Sequence, residues 1–453
     1  MGSPTRVAFV SLGCAKNTVD SEKMLGQLAE AGCVITADES DAEAIVVNTC
    51  GFLQASRTEA DEILREVILR KKDGVLKRVI AAGCLVQRDK EALALRVPGI
   101  DALVGVNNRD DIVRAVVGKG SSHKRQETDL FLSDYHAFTQ MDNARMRITP
   151  KHYAYLRISE GCDQKCTFCT IPSIRGPMHC KPPEVILDEA RELISDGAVE
   201  LNLIGQDTTS YGRGADQFGV GLADLLRQLD RVEGAQWIRL MYVYPSVLSN
   251  DILDAMADCN RVCNYIDIPL QHISDRVLKS MHRGIDRRGT EALLDRIRQR
   301  IPGVAVRTTL IAGFPGETDA EFEELIEFIK DFRFDALGVF PYSLEADTPA
   351  GRMKGQLPEA VKEQRVDALM RTQQEIAFRL AEERVGSTFE VLVDGRVDDQ
   401  RVSARHRGQA PMVDSATYVR GNASAGELVS VRCVARDAYD LVAVPTQSAL
   451  PVL

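Results

Sequence analysis

Six of the eleven cysteines stand where sulfur can do chemistry. Cys162, Cys166 and Cys169 form CysAspGlnLysCysThrPheCys, a C-x3-C-x2-C run on one short loop. Three thiolates so placed can hold three irons of a 4Fe-4S cluster and leave the fourth open, whereas four-cysteine ferredoxin runs close that position. A zinc site is the bland alternative, with His179 or Cys180 as its fourth ligand. Cys14, Cys50 and Cys84 are too far apart to share a loop, but their contexts match: SerLeuGlyCys, ValAsnThrCys and AlaAlaGlyCys each end a short apolar run. If those runs are strands of one parallel sheet, their carboxyl ends share an edge, and the three thiols are expected to converge there on a second cluster. The competing reading is three unrelated buried thiols, a common fate of free cysteine. Cys259 and Cys263 sit four apart with no second pair or histidine beside them, and read as packing residues.

The elements that must position these thiols follow from hydrophobic patterning. Residues 1–120 alternate buried-looking strands (6–12, 44–48, 78–82) with amphipathic helices (17–31, 56–72). That alternation predicts an α/β domain with a doubly wound parallel sheet. Asp20 and Glu22 are expected in the first turn of the first helix. Residues 121–150 are polar and aperiodic, and read as a linker. Residues 151–384 resume the alternation, with six candidate strands at 153–158, 200–204, 237–243, 265–269, 305–311 and 336–340. Six β/α units fall short of the eight that close a barrel, so an open partial (β/α)6 barrel is expected. Residues 359–384 read as a helical connection. Residues 385–453 change to short strands and turns (389–393, 416–420, 427–434 and 439–444), a small all-β barrel.

A length of 453 residues allows two to four domains. Hydrophobic residues at 44% and charged residues at 27% exclude wholesale disorder, a collagen-like fibre and a coiled coil. No apolar run approaches the roughly 18 residues of a membrane span, and no membrane partner is expected. Lys+Arg at 56 against Asp+Glu at 66 gives a net charge of −10, without the basic surplus that phosphate neutralisation favours. Eleven cysteines are too sparse and odd in number for a disulfide scaffold, which points to metal or catalytic use in a reducing compartment. The apolar stretch after Arg6 is short for a secretory signal, so the cytoplasm is expected.

The C-x3-C-x2-C spacing, with Phe168 before the last cysteine, resembles the signature of radical S-adenosylmethionine enzymes. Two cysteine trios, the first on an α/β domain and the second on a radical loop, followed by a small β-barrel, resemble the methylthiotransferases over nearly the whole chain. The motifs that carry the likeness are SerLeuGlyCysAlaLysAsn (11–17), IleProSerIleArgGlyPro (171–177), LeuIleGlyGlnAsp (203–207) and GlyPheProGlyGluThr (313–318). ValAspSerGlu (19–22), TyrValTyrPro (242–245) and AspIleProLeuGlnHis (267–272) are similar to the branch that modifies a ribosomal protein rather than transfer RNA. His179 and Cys180 depart from the Arg and Ser expected there.

The resemblance implies two 4Fe-4S clusters, held by Cys14, Cys50 and Cys84 and by Cys162, Cys166 and Cys169. It implies S-adenosylmethionine on the second cluster, cleaved to a 5′-deoxyadenosyl radical that takes a hydrogen from the β-carbon of an aspartate in the twelfth small-subunit ribosomal protein. Sulfur at the first cluster then captures the carbon radical, and a second S-adenosylmethionine supplies the methyl group. An external sulfur donor and a one-electron reductant are implied partners. Gln206, Asp207, Gln271 and the turn from Gly313 to Glu317 are expected to hold S-adenosylmethionine at the strands' carboxyl ends. A plain strand-to-helix turn is the alternative for Gly313–Glu317. No side chain is nominated as catalytic. The alternative function is a transfer-RNA methylthiotransferase acting on a modified adenosine. From Gly386 onward, eight Asp+Glu face seven Arg and no Lys. That near-neutral barrel suits a basic protein at least as well as RNA, so nucleic acid is not favoured. A non-catalytic iron–sulfur electron carrier and a zinc-dependent interaction protein are the rivals from other classes.

Overall fold

The structure, a computed structural model, describes residues 4–118, 128–135, 139–214 and 218–446. Residues 121–127 and 136–138 of the expected linker lie outside them.

The first sheet contains β1 (Arg6–Ser11), β2 (Val34–Ile35), β3 (Ala44–Thr49), β4 (Arg78–Gly83), β5 (Ala102–Val104) and β6 (Asp129–Phe131). All its pairings are parallel, in the order β2-β1-β3-β4-β5-β6. Every residue of β3 is buried, as a parallel strand covered by helices on both faces requires. The chain winds outward from β1 to β2 and then back to β3, which makes the β1/β3 boundary the switch point where such sheets open a crevice. β6 departs from expectation. It falls in the stretch read as linker, yet pairs in register with β5, and Asp129 accepts from Arg78 at 2.8 Å.

The second sheet contains β7 (Tyr153–Arg157), then β10 (Glu200–Ile204), β11 (Trp237–Leu240), β12 (Val262–Asp267), β13 (Ala305–Ala312) and β14 (Ala336–Pro341). Its order is sequential and parallel from β7 to β14, and the two ends do not pair, so the barrel is open. Between β7 and β10 a small ladder joins β8 (Ser159–Glu160) and β9 (His179–Cys180) antiparallel. All six expected strands are present. The helix over Asp319–Phe332 opens with a full capping box between Thr318 and Glu321.

The third unit is a closed barrel of β15 (Thr388–Arg396), β16 (Arg401–His406), β17 (Thr417–Arg420), β18 (Leu428–Asp437) and β19 (Asp440–Pro445). β16 was not expected from the sequence. The barrel caps the amino-terminal end of the second sheet. Arg405 binds Glu200 at 2.7 Å, His152 meets Asp394 at 2.8 Å, and Tyr265 donates to Asp414 at 2.8 Å. A 25-residue helix, Glu359–Glu383, carries the chain there from the other end, a run of about 37 Å at 1.5 Å per residue.

Candidate active site

Cys14 follows β1, Cys50 follows β3 and Cys84 follows β4, and these are three adjacent strands. At about 4.8 Å per strand the thiol-bearing turns span roughly 10 Å of one sheet edge. Two glycines let them approach. Gly13 has φ +97°, and a Cβ there would lie 3.0 Å from the Cβ of Cys50. Gly83 has φ +94°, and a Cβ there would meet Asn48 Oδ1 at 2.2 Å. Only glycine serves at such positions. Cys14 then caps the helix α1 (Ala15–Glu30), and Cys84 begins a short helix to Asp89.

The radical loop packs against that edge. Cys14, Cys50, Cys84, Cys162, Cys166 and Cys169 all line one cavity of about 340 Å³. Phe52, Phe168 and Ile171 give it an apolar wall, and Lys16, Asn17, Arg175 and Arg283 are among its polar lining. Arg175, from the radical domain, donates to Cys84 Sγ at 3.2 and 3.3 Å and to Asn17 Oδ1 at 2.7 Å. It also pairs with Asp20 and Glu160, each at 2.9 Å. Arg283 donates to Cys166 Sγ at 3.2 Å and lies over the ring of Tyr244.

Burial pushes the thiols of Cys84, Cys162 and Cys169 up to about 12 each, and raises Cys50 as well. Metal loading at these four thiols must therefore release their protons. Burial lowers the amine of Lys16 to about 8. Among the described residues, no three His, Cys, Asp or Glu side chains converge as the ligands of a single metal ion do. A cubane anchors three thiolates on three different irons, so it does not ask them to converge on one ion. His179 and Cys180, the extra ligands of the zinc alternative, sit in β9 and do not line the cavity. Six cysteine sulfurs lining one cavity are the donor chemistry that iron–sulfur clusters take.

The expected S-adenosylmethionine contacts divide. Gln206 and Gln271 line the cavity. Asp207 stands behind it, accepting from the cavity residue Gln164 at 2.8 Å and from Ser210 at 2.7 Å. Gly313 and Glu317 do not line it. The Glu317 carboxylate accepts from the backbone N–H groups of Gly313 and Phe314 at 2.8 and 3.0 Å and binds Arg365 at 2.7 Å, the pattern of a strand-to-helix turn. Asp20 and Glu22 do not fall in the first turn of α1 as expected, because the helix begins earlier, at Ala15. Both are buried, Asp20 bonded to Arg157 and Arg175 and Glu22 to Arg145. Lys16, Arg175, Arg283 and Tyr242 were missed as cavity residues. Lys16 and Arg175 lie inside motifs already singled out, but nothing in their spacing shows which way they turn.

Family models match three segments: the radical SAM superfamily at residues 156–329, uncharacterized protein family UPF0004 at 6–105, and the TRAM domain at 385–445. Among solved structures, the radical S-adenosylmethionine methyltransferase TsrM from Kitasatospora setae superposes with TM-score 0.57 at 14% identity, over 88% of this chain and 81% of its own. The cobalamin-dependent S-adenosylmethionine radical enzyme OxsB does so with TM-score 0.53 at 14% identity, over 82% and 56%. At such identities the likeness shows the fold. An open six-stranded parallel barrel with a three-cysteine loop at its mouth defines a radical S-adenosylmethionine enzyme, a class that works through a 4Fe-4S cluster and S-adenosylmethionine. Ribosomal protein uS12 methylthiotransferase RimO of Anaeromyxobacter sp. (strain K) is 43% identical over 97% of this chain and 92% of its own length. The protein of that name from Desulfitobacterium hafniense (strain Y51) is 39% identical over 96% and 98%. The chain belongs to the ribosomal protein uS12 methylthiotransferase family. Among the described residues no helix is long and apolar enough to cross a membrane.

Proposed function

We propose that this chain adds a methylthio group to the β-carbon of an aspartate in uS12, using two 4Fe-4S clusters held by the two cysteine trios. One observation carries this reading: two cysteine trios from different domains line the same cavity. When bound, the clusters and S-adenosylmethionine supply a carbon radical, a sulfur and a methyl group, chemistry that no side chain provides. The chain's own residues bind and orient. Arg175 ties the thiolate wall of the first trio to the radical domain, and Arg283 donates to Cys166 of the second. Phe52, Phe168 and Ile171 exclude water from the space where a radical must survive. Gln206 and Gln271 present amides at strand ends, where S-adenosylmethionine is expected. Asp207 acts one step back, through Gln164. An external sulfur donor and a one-electron reductant complete the reaction, and the cytoplasm, which keeps thiols reduced, is the location that suits it. The relatives are ribosomal-protein enzymes by name, which disfavours the transfer-RNA alternative.

The test is to express the chain in bacteria lacking their own enzyme and weigh uS12 by mass spectrometry. A gain of one methylthio group on an aspartate is expected. Unmodified uS12 together with newly methylthiolated transfer RNA refutes the reading.

A further inference from the structure

Arg175, Arg283 and Lys16 are the cations lining the cavity, and two of them are already engaged. Arg175 is bonded to Asp20, Glu160, Asn17 and Cys84. Arg283 donates to the Pro269 carbonyl and to Cys166. Lys16 differs. It is only 6% exposed, yet among the described residues no carboxylate pairs with its ammonium and no oxygen accepts from it. Its neighbour is the ring of Tyr242, 2.8 Å from Nζ to the ring centroid. A buried ammonium without an acceptor is costly unless an anion completes it.

The surroundings favour an anion. Lys16 stands in the first turn of α1, which carries no acidic residue and whose Cys14 cap makes no side-chain hydrogen bond. The orphan N–H groups of that turn add positive potential to the same space. Opposite, Tyr242 and Gln271 both hold left-handed backbones, φ +61° and +75°. Asp267 accepts from the Tyr242 N–H at 3.1 Å, which fixes the ring beneath Lys16. Non-glycine strain of this kind gathers at ligand sites.

We propose that Lys16 recognises the carboxylate of the target aspartate and so selects an acidic side chain for modification. This rests on the aspartate reading above. A neutral amide at the target position would leave the ammonium unpaired, so discrimination comes from the unsatisfied charge.

The test is a pair of double-mutant cycles on the reconstituted full-length enzyme. The first measures binding of uS12 and of uS12 with its target aspartate changed to asparagine, for the wild type, Lys16→Met and Lys16→Arg. The wild type is expected to prefer the aspartate form about tenfold or more. Lys16→Met brings the preference near one, and Lys16→Arg restores most of it. The second cycle replaces S-adenosylmethionine by its decarboxylated analogue, and no coupling to Lys16 is expected. An undiminished preference in Lys16→Met overturns the proposal. Coupling to the S-adenosylmethionine carboxylate also overturns it, since Lys16 then serves the cofactor. If Lys16→Met loads less iron than the wild type, Lys16→Gln takes its place in both cycles. A wild type that binds neither form of uS12 removes the functional reading itself, and this proposal with it.

Discussion

Arg175 offers the sharpest test of how the two domains are joined. It comes from the radical domain, is buried, and reaches Asp20, Asn17 and Cys84 of the first domain. Removing one partner of a buried ion pair costs about 3–5 kcal/mol, because a charge is left uncompensated. Here the remaining carboxylates are not abandoned. Asp20 keeps Arg157 at 2.8 Å, and Glu160 keeps Arg157 as well. The lower end of that range therefore applies, about 3 kcal/mol for Arg175→Met. At 1.4 kcal/mol per decade, that is roughly a hundredfold rise in opening of the seam. Hydrogen–deuterium exchange with mass spectrometry reads it directly. Faster exchange is expected in peptides covering α1 and residues 171–177, with the β-barrel unchanged. Arg175→Lys, which keeps one charge but loses the forked geometry, falls between. Protection within threefold of wild type at the seam refutes the reasoning. So does a loss spread evenly over all three units, because the arginine would then support global stability and not the joint.

Glu345 fastens the same seam at another point. Its buried carboxylate binds Arg57 at 2.7 Å and Arg88 at 2.8 Å and accepts from the backbone N–H of Gln54 at 2.9 Å. Burial opposes its ionisation, but Arg57, Arg88 and Ser343 outweigh that and hold it below its ordinary 4.5. A depressed folded value means the contribution is whole above pH 4.5 and fades as pH falls through the folded value. Glu345→Gln is therefore expected to cost about 2 kcal/mol at pH 7 and clearly less at pH 3.5 by thermal denaturation; an equal gap at both pH values contradicts this. Cys166→Ala is expected to abolish 5′-deoxyadenosine production and Cys50→Ala to spare it while stopping sulfur insertion, each lowering anaerobically reconstituted iron from about eight to about four per chain. Retained cleavage in Cys166→Ala, or a wild type holding only about four irons, breaks the two-trio assignment.

Much of the scaffold was legible because parallel strands announce themselves. The runs at 44–48 and 200–204 are apolar enough to be found without tertiary knowledge, and their observed limits are Ala44–Thr49 and Glu200–Ile204. The convergence of Cys14, Cys50 and Cys84 followed from one rule about strand ends. What failed did so where charge is buried. β16 reads ArgValSerAlaArgHis, and its last three positions are all buried. Arg405 is there because Glu200 and Asp394 meet it, and that pairing erases the alternation that marks a strand. β6 is three residues long with no alternation of its own, and it is set by β5 and by Arg78. Asp20 and Glu22 looked like helix-dipole acids, but four arginines from other segments claim them.

The same cause hid the polar half of the site. A cysteine's role is visible in spacing because a cluster imposes spacing. An arginine or lysine that completes the chamber answers to partners distant in sequence, 91 residues between Arg175 and Cys84 and 117 between Arg283 and Cys166. The chamber is thus built by two kinds of information. Local turns, glycine-dependent at Gly13 and Gly83, aim the sulfurs. Arg175, buried and from the radical domain, then ties the first thiol-bearing edge to the second unit. Neither half forms the site alone, because the first trio sits on a sheet edge that the radical loop must cover. A variant that keeps all six cysteines but frees the seam should load iron and still fail to bring sulfur to the radical.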